Sequence, residues 1–238
     1  MTWNWWDIAW PYVGLAGAIA IVALLATRRL IGEPGGNRWR DPRWLAWLGL
    51  AAYLVHQFEE YGIDATGRQH AFPSDMCGVL GYPAEACPIP AEFYLAVNHG
   101  AIWVAGLIGA LVAKRYPALG LSLYGIIFTN AIVHVVGTVA QGEYGAGLVT
   151  ALVVFIPLCI WVAVTVFVRG PLGVRPMLLI AAGGAIQHAV LLASAGAFVA
   201  GRLPGTALIG IQVLNTFPTL AIMAVWERSR SRDKRRVD

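Results

Sequence analysis

Charge is what this chain lacks most: Asp, Glu, Lys and Arg make up 13% of its 238 residues, against about 25% in soluble globular domains. That shortage argues against a water-soluble domain with an ordinary surface. Alternation of apolar and polar residues over segments of about ten is missing as well, which excludes a membrane β-barrel. Cysteine is nearly absent, at three residues, and neither Cys77 nor Cys87 has neighbouring ligands of the kind a zinc site needs. Internal repeats, low-complexity tracts and a separate soluble domain are also lacking. No basic residue precedes the first apolar run, and Arg28-Arg29 follow it. That run therefore reads as a retained helix and not as a secretory signal.

What the chain has is apolar length. Hydrophobic residues are 58% of the total and the mean hydropathy is +0.64. They gather into runs of about 20, enough to cross a hydrocarbon core of ~30 Å. Without water to satisfy the backbone, such runs must be helices. The expected spans are 5–26, 43–62, 91–113, 118–142, 146–168, 175–200 and 205–226, separated by punctuation such as Gly32-Glu33-Pro34-Gly35-Gly36 and Arg202-Leu203-Pro204-Gly205. Pro11, Pro157 and Pro218 fall inside spans, where proline is tolerated. Fifteen of the seventeen basic residues lie on one side of this map, in alternate connections and at the C-terminus, with only Arg68 and Arg202 opposite. The positive-inside rule then places the N-terminus outside and the C-terminus in the cytoplasm. It also accounts for the net charge of +4 without nucleic acid as a partner. The expectation is an all-α, polytopic transmembrane helix bundle of about seven spans, multi-pass in the cell (inner or plasma) membrane. Residues 1–228 form one transmembrane domain, and 229–238 a basic cytoplasmic tail. The bilayer is the expected partner, and the oligomeric state stays open. Trp3, Trp5, Trp6 and Trp10 are expected at the outer interface, with Trp44 and Trp47 at the inner one.

One connection is long. Segment 63–90, rich in Gly and Pro, falls outside and holds Cys77 and Cys87. A structureless loop of this length is often functional or a lid. Two cysteines in an exterior loop suggest a disulfide, with two free thiols as the alternative. Cys159 lies in mid-span and reads as packing.

Ionisable residues inside spans cost about 2.5–3.5 kcal/mol each on insertion scales and so mark function. The sharpest group is His56-Gln57-Phe58-Glu59-Glu60. On a helix Glu59 and Glu60 flank the direction of His56, one turn nearer the outer surface. At a similar depth the other spans carry Asn98 and His99, Asn130 and His134, then Glu143 and Tyr144, Gln187 and His188, and Gln212 and Asn215. An imidazole and a carboxylate on one face suit a transition metal or a coupled proton donor and acceptor. Asn98, Asn130 and His188 also suit bonds between helices.

The stretch from His56 to Glu60 resembles the signature of the HXXEE family, bacterial integral membrane proteins of unknown function. Asn130-Ala-Ile-Val-His134, followed by Tyr144-Gly145-Ala146-Gly147, is similar to the second half of its pattern, with Ala146 where a proline is expected. The resemblance covers about residues 45–150. It implies a site and no reaction.

The residues by themselves point to a membrane-embedded enzyme acting on a lipid-soluble small molecule. In a hydrolytic version His56, His99 and His134 hold zinc, and Glu59 or Glu60 is the catalytic base. In an oxidative version iron is held with additional carboxylates, Glu143 among them. Asn98, Asn130, Tyr144, Glu143 and His188 are expected around this centre. A transporter or proton relay, a metal-free His/Glu isomerase and a non-enzymatic binder are the rivals. The inner halves of the spans carry almost no ionisable group, which disfavours a continuous polar path.

Overall fold

A computed structural model describes residues 3–32 and 36–237, with side chains through Arg232. Glu33, Pro34 and Gly35 and the side chains of Lys234, Arg235 and Arg236 lie outside the described residues. The first helix, α1 (Trp5–Ala26), opens on a capping box: Asn4 Oδ1 accepts from the Trp6 and Asp7 amides, and Asp7 Oδ2 accepts from the Asn4 amide. These contacts satisfy donors that a helix start leaves orphaned. α2 (Pro42–Tyr61) begins where Asp41 caps the Arg43 amide and Pro42 takes the first turn, a position where its missing N–H is harmless. A short helix α3 (Ala71–Val79) follows. Then come α4 (Ala91–Val112), α5 (Pro117–Gln141), α6 (Leu148–Val168) and α7 (Val174–Val199). The last apolar stretch is two helices, α8 (Gly205–Leu214) and α9 (Pro218–Val237). Pro218 lies inside that stretch, as expected, and starts α9. No strand occurs among the described residues; Ile63 and Gln69 form an isolated bridge.

Among the described residues the protein is all-helical, and six helical stretches are long and apolar enough to cross a membrane: Trp5–Ala26, Ala91–Val112, Pro117–Gln141, Leu148–Val168, Val174–Val199 and Gly205–Arg232. α2 is not among them, because its last two turns hold His56, Gln57, Glu59 and Glu60. It is instead enclosed by protein: Leu45, Leu50, Tyr53, Leu54 and the four polar residues are all buried. A helix whose neighbours are other helices can carry polar groups that a lipid-facing helix cannot. Close approach elsewhere rests on missing side chains. A Cβ on Gly125 of α5 would strike the Ile180 carbonyl of α7, and one on Gly184 would strike Gly125, the small-residue packing typical of membrane helices.

Segment 63–90 is not structureless. It contains α3 and a 3₁₀ turn at Ala84–Ala86, and Cys77 is joined to Cys87 with Cα atoms 5.7 Å apart. Asp75 fastens α3 down: Arg68 donates to both of its oxygens at 2.8 and 3.1 Å, and the Ala146 amide donates to Oδ2 at 2.9 Å. Arg68 also pairs with the buried Asp64 at 2.9 Å. Two of the expected interfacial tryptophans, Trp10 and Trp44, are buried in the bundle, whereas Trp5 is 76% exposed. Cys159 is half-buried against the core. At the other end the α9 backbone continues without a break past Arg228, and Glu227 caps the start of α5 through the Ala118 amide at 2.9 Å.

Candidate metal centre

Helical geometry sends the two carboxylates of α2 to different neighbours. His56 and Glu60 are one turn apart and share a face, whereas Glu59 is rotated about 100° from Glu60. Glu60 therefore meets α5 and Glu59 meets α6. Glu60 Oε1 lies 3.4 Å from His56 Nε2 and 3.2 Å from Nε2 of His134 on α5. The two imidazoles meet edge to face with centroids 4.9 Å apart. Exposures of 0, 4 and 7% for His56, Glu60 and His134 leave the three groups little contact with solvent or lipid.

The chemistry of this cluster fits a divalent ion. Its three donor atoms lie within 4.8 Å of one another. Two donors held 2.0–2.1 Å from a tetrahedral ion stand ~3.3 Å apart, which matches the spacing of the Glu60 oxygen from each nitrogen. His134 Nε2 supplies a second sign. It is buried, within ion-pair distance of Glu60 but out of line for a hydrogen bond, and has no other partner. An unsatisfied buried nitrogen costs about 1–3 kcal/mol, and a cation bound there removes that penalty. Two histidines and a carboxylate form a donor set common to zinc hydrolases and to non-haem iron oxygenases.

The surroundings fix the direction of His56. Glu59 accepts from the Tyr144 hydroxyl at 2.7 Å and from the Val149 and Thr150 amides at 3.0 and 2.7 Å, and from Thr150 Oγ1 at 2.5 Å. It thus caps the first turn of α6 from another helix, where amides are free and negative charge is favoured. Because Thr150 gives its hydroxyl proton to Glu59, its oxygen accepts from His56 Nδ1 at 2.6 Å. A neutral His56 then carries its proton on Nδ1 and turns the Nε2 lone pair toward Glu60 and His134. Asn130, one turn before His134 on α5, donates to that Nε2 at 2.8 Å, a bond that a metal at Nε2 would replace, and its oxygen lies 3.4 Å from His188 Nε2. Gly147 closes the arrangement. Its φ is +94°, and a Cβ there would stand 2.5 Å from His134 Cε1 and 2.8 Å from His56 Cε1, so only glycine lets the turn pass both rings. Above them Phe72 of α3 covers His134 and Tyr61, with centroids 5.9 and 5.6 Å away.

The grouping differs from the expected one at several residues. His99 does not join His56 and His134; Glu60 takes that place. α4 turns His99 into an aromatic enclosure of Trp6, Trp10 and Trp103, with Nδ1 3.1 Å from the Leu95 carbonyl. A π-helical stretch over Ala96–Val104 shifts its facing relative to a regular helix. Glu59, expected as a catalytic base, is engaged by four donors and positions α6. Glu143 is exposed on the turn after α5 and stands apart from the cluster. Asn98 bonds Gln57 at 2.8 Å and the Tyr94 carbonyl at 2.9 Å, linking α2 to α4. Asn130, Tyr144 and His188 do lie around the cluster, the last through Asn130. Thr150 and Phe72 went unnoticed. Thr150 is 94 positions from His56, and a lone threonine opening an apolar run carries no signal of such a partner.

Residues 47–162 match the family described as "Protein of unknown function with HXXEE motif". Over that segment, a little under half of its length, the chain is similar to the HXXEE-motif family. The match begins on α2 and ends within α6, so it takes in the cluster, α3 and the Gly147 turn, and leaves α7 to α9 outside. No curated protein and no solved structure matches the chain.

Proposed function

We propose that this protein is a membrane-embedded enzyme whose reactive centre is a divalent transition metal, zinc or iron, held by His56, Glu60 and His134. The observation that carries this reading is the buried Nε2 of His134, which has no hydrogen-bond partner and lies 3.2 Å from a carboxylate oxygen that also faces His56 Nε2. A metal in that position with an open coordination site supplies a water of lowered pKa and a Lewis acid for a substrate oxygen. The chain's own residues do the remaining work. Thr150 and Glu59 hold His56 in the tautomer that presents Nε2, Asn130 would yield that nitrogen to the ion, and Phe72 keeps bulk water from His134.

We also read α2 as a seventh span, giving an outer N-terminus and a cytoplasmic C-terminus in the plasma membrane. The fifteen-to-two division of basic residues supports this orientation. The cluster then lies in the outer half of the bilayer beneath α3, and a lipid-soluble substrate reaches it through the hydrocarbon phase. The test is elemental analysis of the full chain purified in mild detergent. Wild-type protein should carry about one zinc or iron, and His134→Ala should lose it with helix content unchanged. His99→Ala should keep it. Wild-type protein without metal overturns the metal reading and leaves the rival of direct proton transfer between His56 and Glu60.

A further inference from the structure

Apart from the His56, Glu60 and His134 cluster, a cavity of about 320 Å³ opens where the start of α1 meets the run from the disulfide into α4. Asn4 and Asp7 of α1 line one part of it, and Cys87, Pro88 and Pro90 another. Glu92 of α4 adds a second carboxylate. Asp7 is the unusual member. It is 3% exposed, its Oδ2 accepts from the Asn4 amide at 2.8 Å, and its Oδ1 is buried with no hydrogen-bond partner. The cap needs only one oxygen, so the start of α1 does not account for the other. Burying a charged group without compensation is costly. Yet neither Asp7 nor Glu92 forms an ion pair among the described residues, and no basic side chain lines the cavity. His70, in the outer connection, feels the charge of Asp7, but burial outweighs it and holds the imidazole below its usual range. A neutral His70 supplies no counter-charge.

The rest of the wall is rich in acceptors. Pro88 and Pro90 have no N–H to give, and the carbonyls of Cys87, Pro88 and Ile89 accept no backbone hydrogen bond among the described residues. An anion drawn to the amides at the start of α4 would face both carboxylates, and Glu92 already stands in that first turn. An organic ammonium ion is favoured by aromatic faces, and no aromatic ring lines this cavity. Carboxylates and carbonyls from separate segments make an irregular, all-oxygen set, which suits calcium better than the strict octahedron of magnesium. Calcium also approaches oxygen to about 2.3–2.6 Å, closer than the ~2.7–2.8 Å of a hydrogen-bonded water. It can therefore satisfy an oxygen that water does not reach.

We infer that this cavity is a calcium site, in which Asp7 and Glu92 supply the charge and Cys87, Pro88 and Ile89 supply carbonyl oxygens. The site is separate from the proposed metal centre and takes a harder ion. Its ligands come from the start of α1, from the segment bonded to Cys77 of α3, and from the start of α4. Bound calcium thus braces the disulfide-closed loop against the bundle.

The probe is calcium chloride, titrated into the full chain in mild detergent against terbium(III), a luminescent reporter excited through tryptophan. Wild-type protein should bind terbium that calcium displaces, with a calcium Kd of about 0.1–1 mM, the range of extracellular modules. Asp7→Asn keeps an oxygen for the Asn4 amide and should weaken calcium about ten-fold, since affinity follows the charge of the ligands. Glu92→Gln alters an exposed side chain and should weaken it similarly, which keeps the test sound if Asp7→Asn folds poorly. Glu143→Gln, at an exposed acid on the turn after α5, should bind as wild type. His134→Ala should also retain calcium. Terbium that calcium fails to displace, or wild-type affinity in both Asp7→Asn and Glu92→Gln, overturns the inference. So does calcium binding that disappears in His134→Ala with helix content unchanged, which would put the ion at the buried centre instead.

Discussion

Replacing Thr150 by valine removes one oxygen and keeps the shape of the side chain. In the structure that oxygen serves two partners at once, accepting from His56 Nδ1 at 2.6 Å and donating to Glu59 at 2.5 Å. His56 is fully buried, so its Nδ1–H is left without a partner, at a cost of about 1–3 kcal/mol. The backbone amide at position 150 would still donate to Glu59, as the Thr150 amide does at 2.7 Å, so the start of α6 should persist. The ring, however, loses the contact that sets its tautomer. Hydrogen bonds behind a metal-binding imidazole are worth about 10–100-fold in metal affinity, and that is the loss expected here. The assay is competition with a chelator of known affinity on detergent-purified protein, with helix content followed in parallel. Thr150→Ser restores the hydroxyl and should restore affinity. A wild-type affinity in Thr150→Val, or a serine variant as weak as the valine one, would refute the relay from Glu59 through Thr150 to His56.

Gly147→Ala should lose bound metal and destabilise the fold by about 1–2 kcal/mol or more, since a left-handed residue acquires a Cβ pressed against both imidazoles; metal content and thermal unfolding check it. A reporter active only outside the cytoplasm should work when fused after Asp75 and one active only inside after Asp238, and the opposite pattern in both would sink the seven-span reading. Alkylation of denatured protein should label Cys77 and Cys87 only after reduction, because the pair is joined; equal labelling without reduction would count against the bond. Burial raises the carboxyl pKa of Asp64, but hydrogen bonds from Thr66 and Arg68 outweigh it and hold the group below its ordinary value of 3.8. Its contribution to the loop is therefore complete above that ordinary value and is lost as pH falls through the depressed one. Hydrogen exchange across Ala71–Val79 should accelerate only in strong acid, and in Asp64→Asn it should be fast already at neutral pH.

The run lengths of the apolar segments were enough to place the first six long helices within a few residues, because the bilayer requirement for paired backbone depends only on local composition; the last run, expected over 205–226, is instead split into α8 and α9, and α9 continues to Val237. The same holds for the i, i+4 relation of His56 to Glu60 and of Asn130 to His134, which any helix imposes. The Cys77–Cys87 pair was legible from its isolation in one connection. Which histidines meet was a different kind of question. His99 has the same depth and polarity as His134, and only the packing of α4 against Trp6 and Trp10 removes it from the cluster. The 100° between Glu59 and Glu60 is written in the sequence, but which of them faces α5 and which faces α6 depends on how α2 is rotated in the bundle. The role of Thr150 depends on a contact across 94 positions. Local periodicity determines what a helix can present, whereas the neighbour it presents that face to is set by the packing of all the helices together.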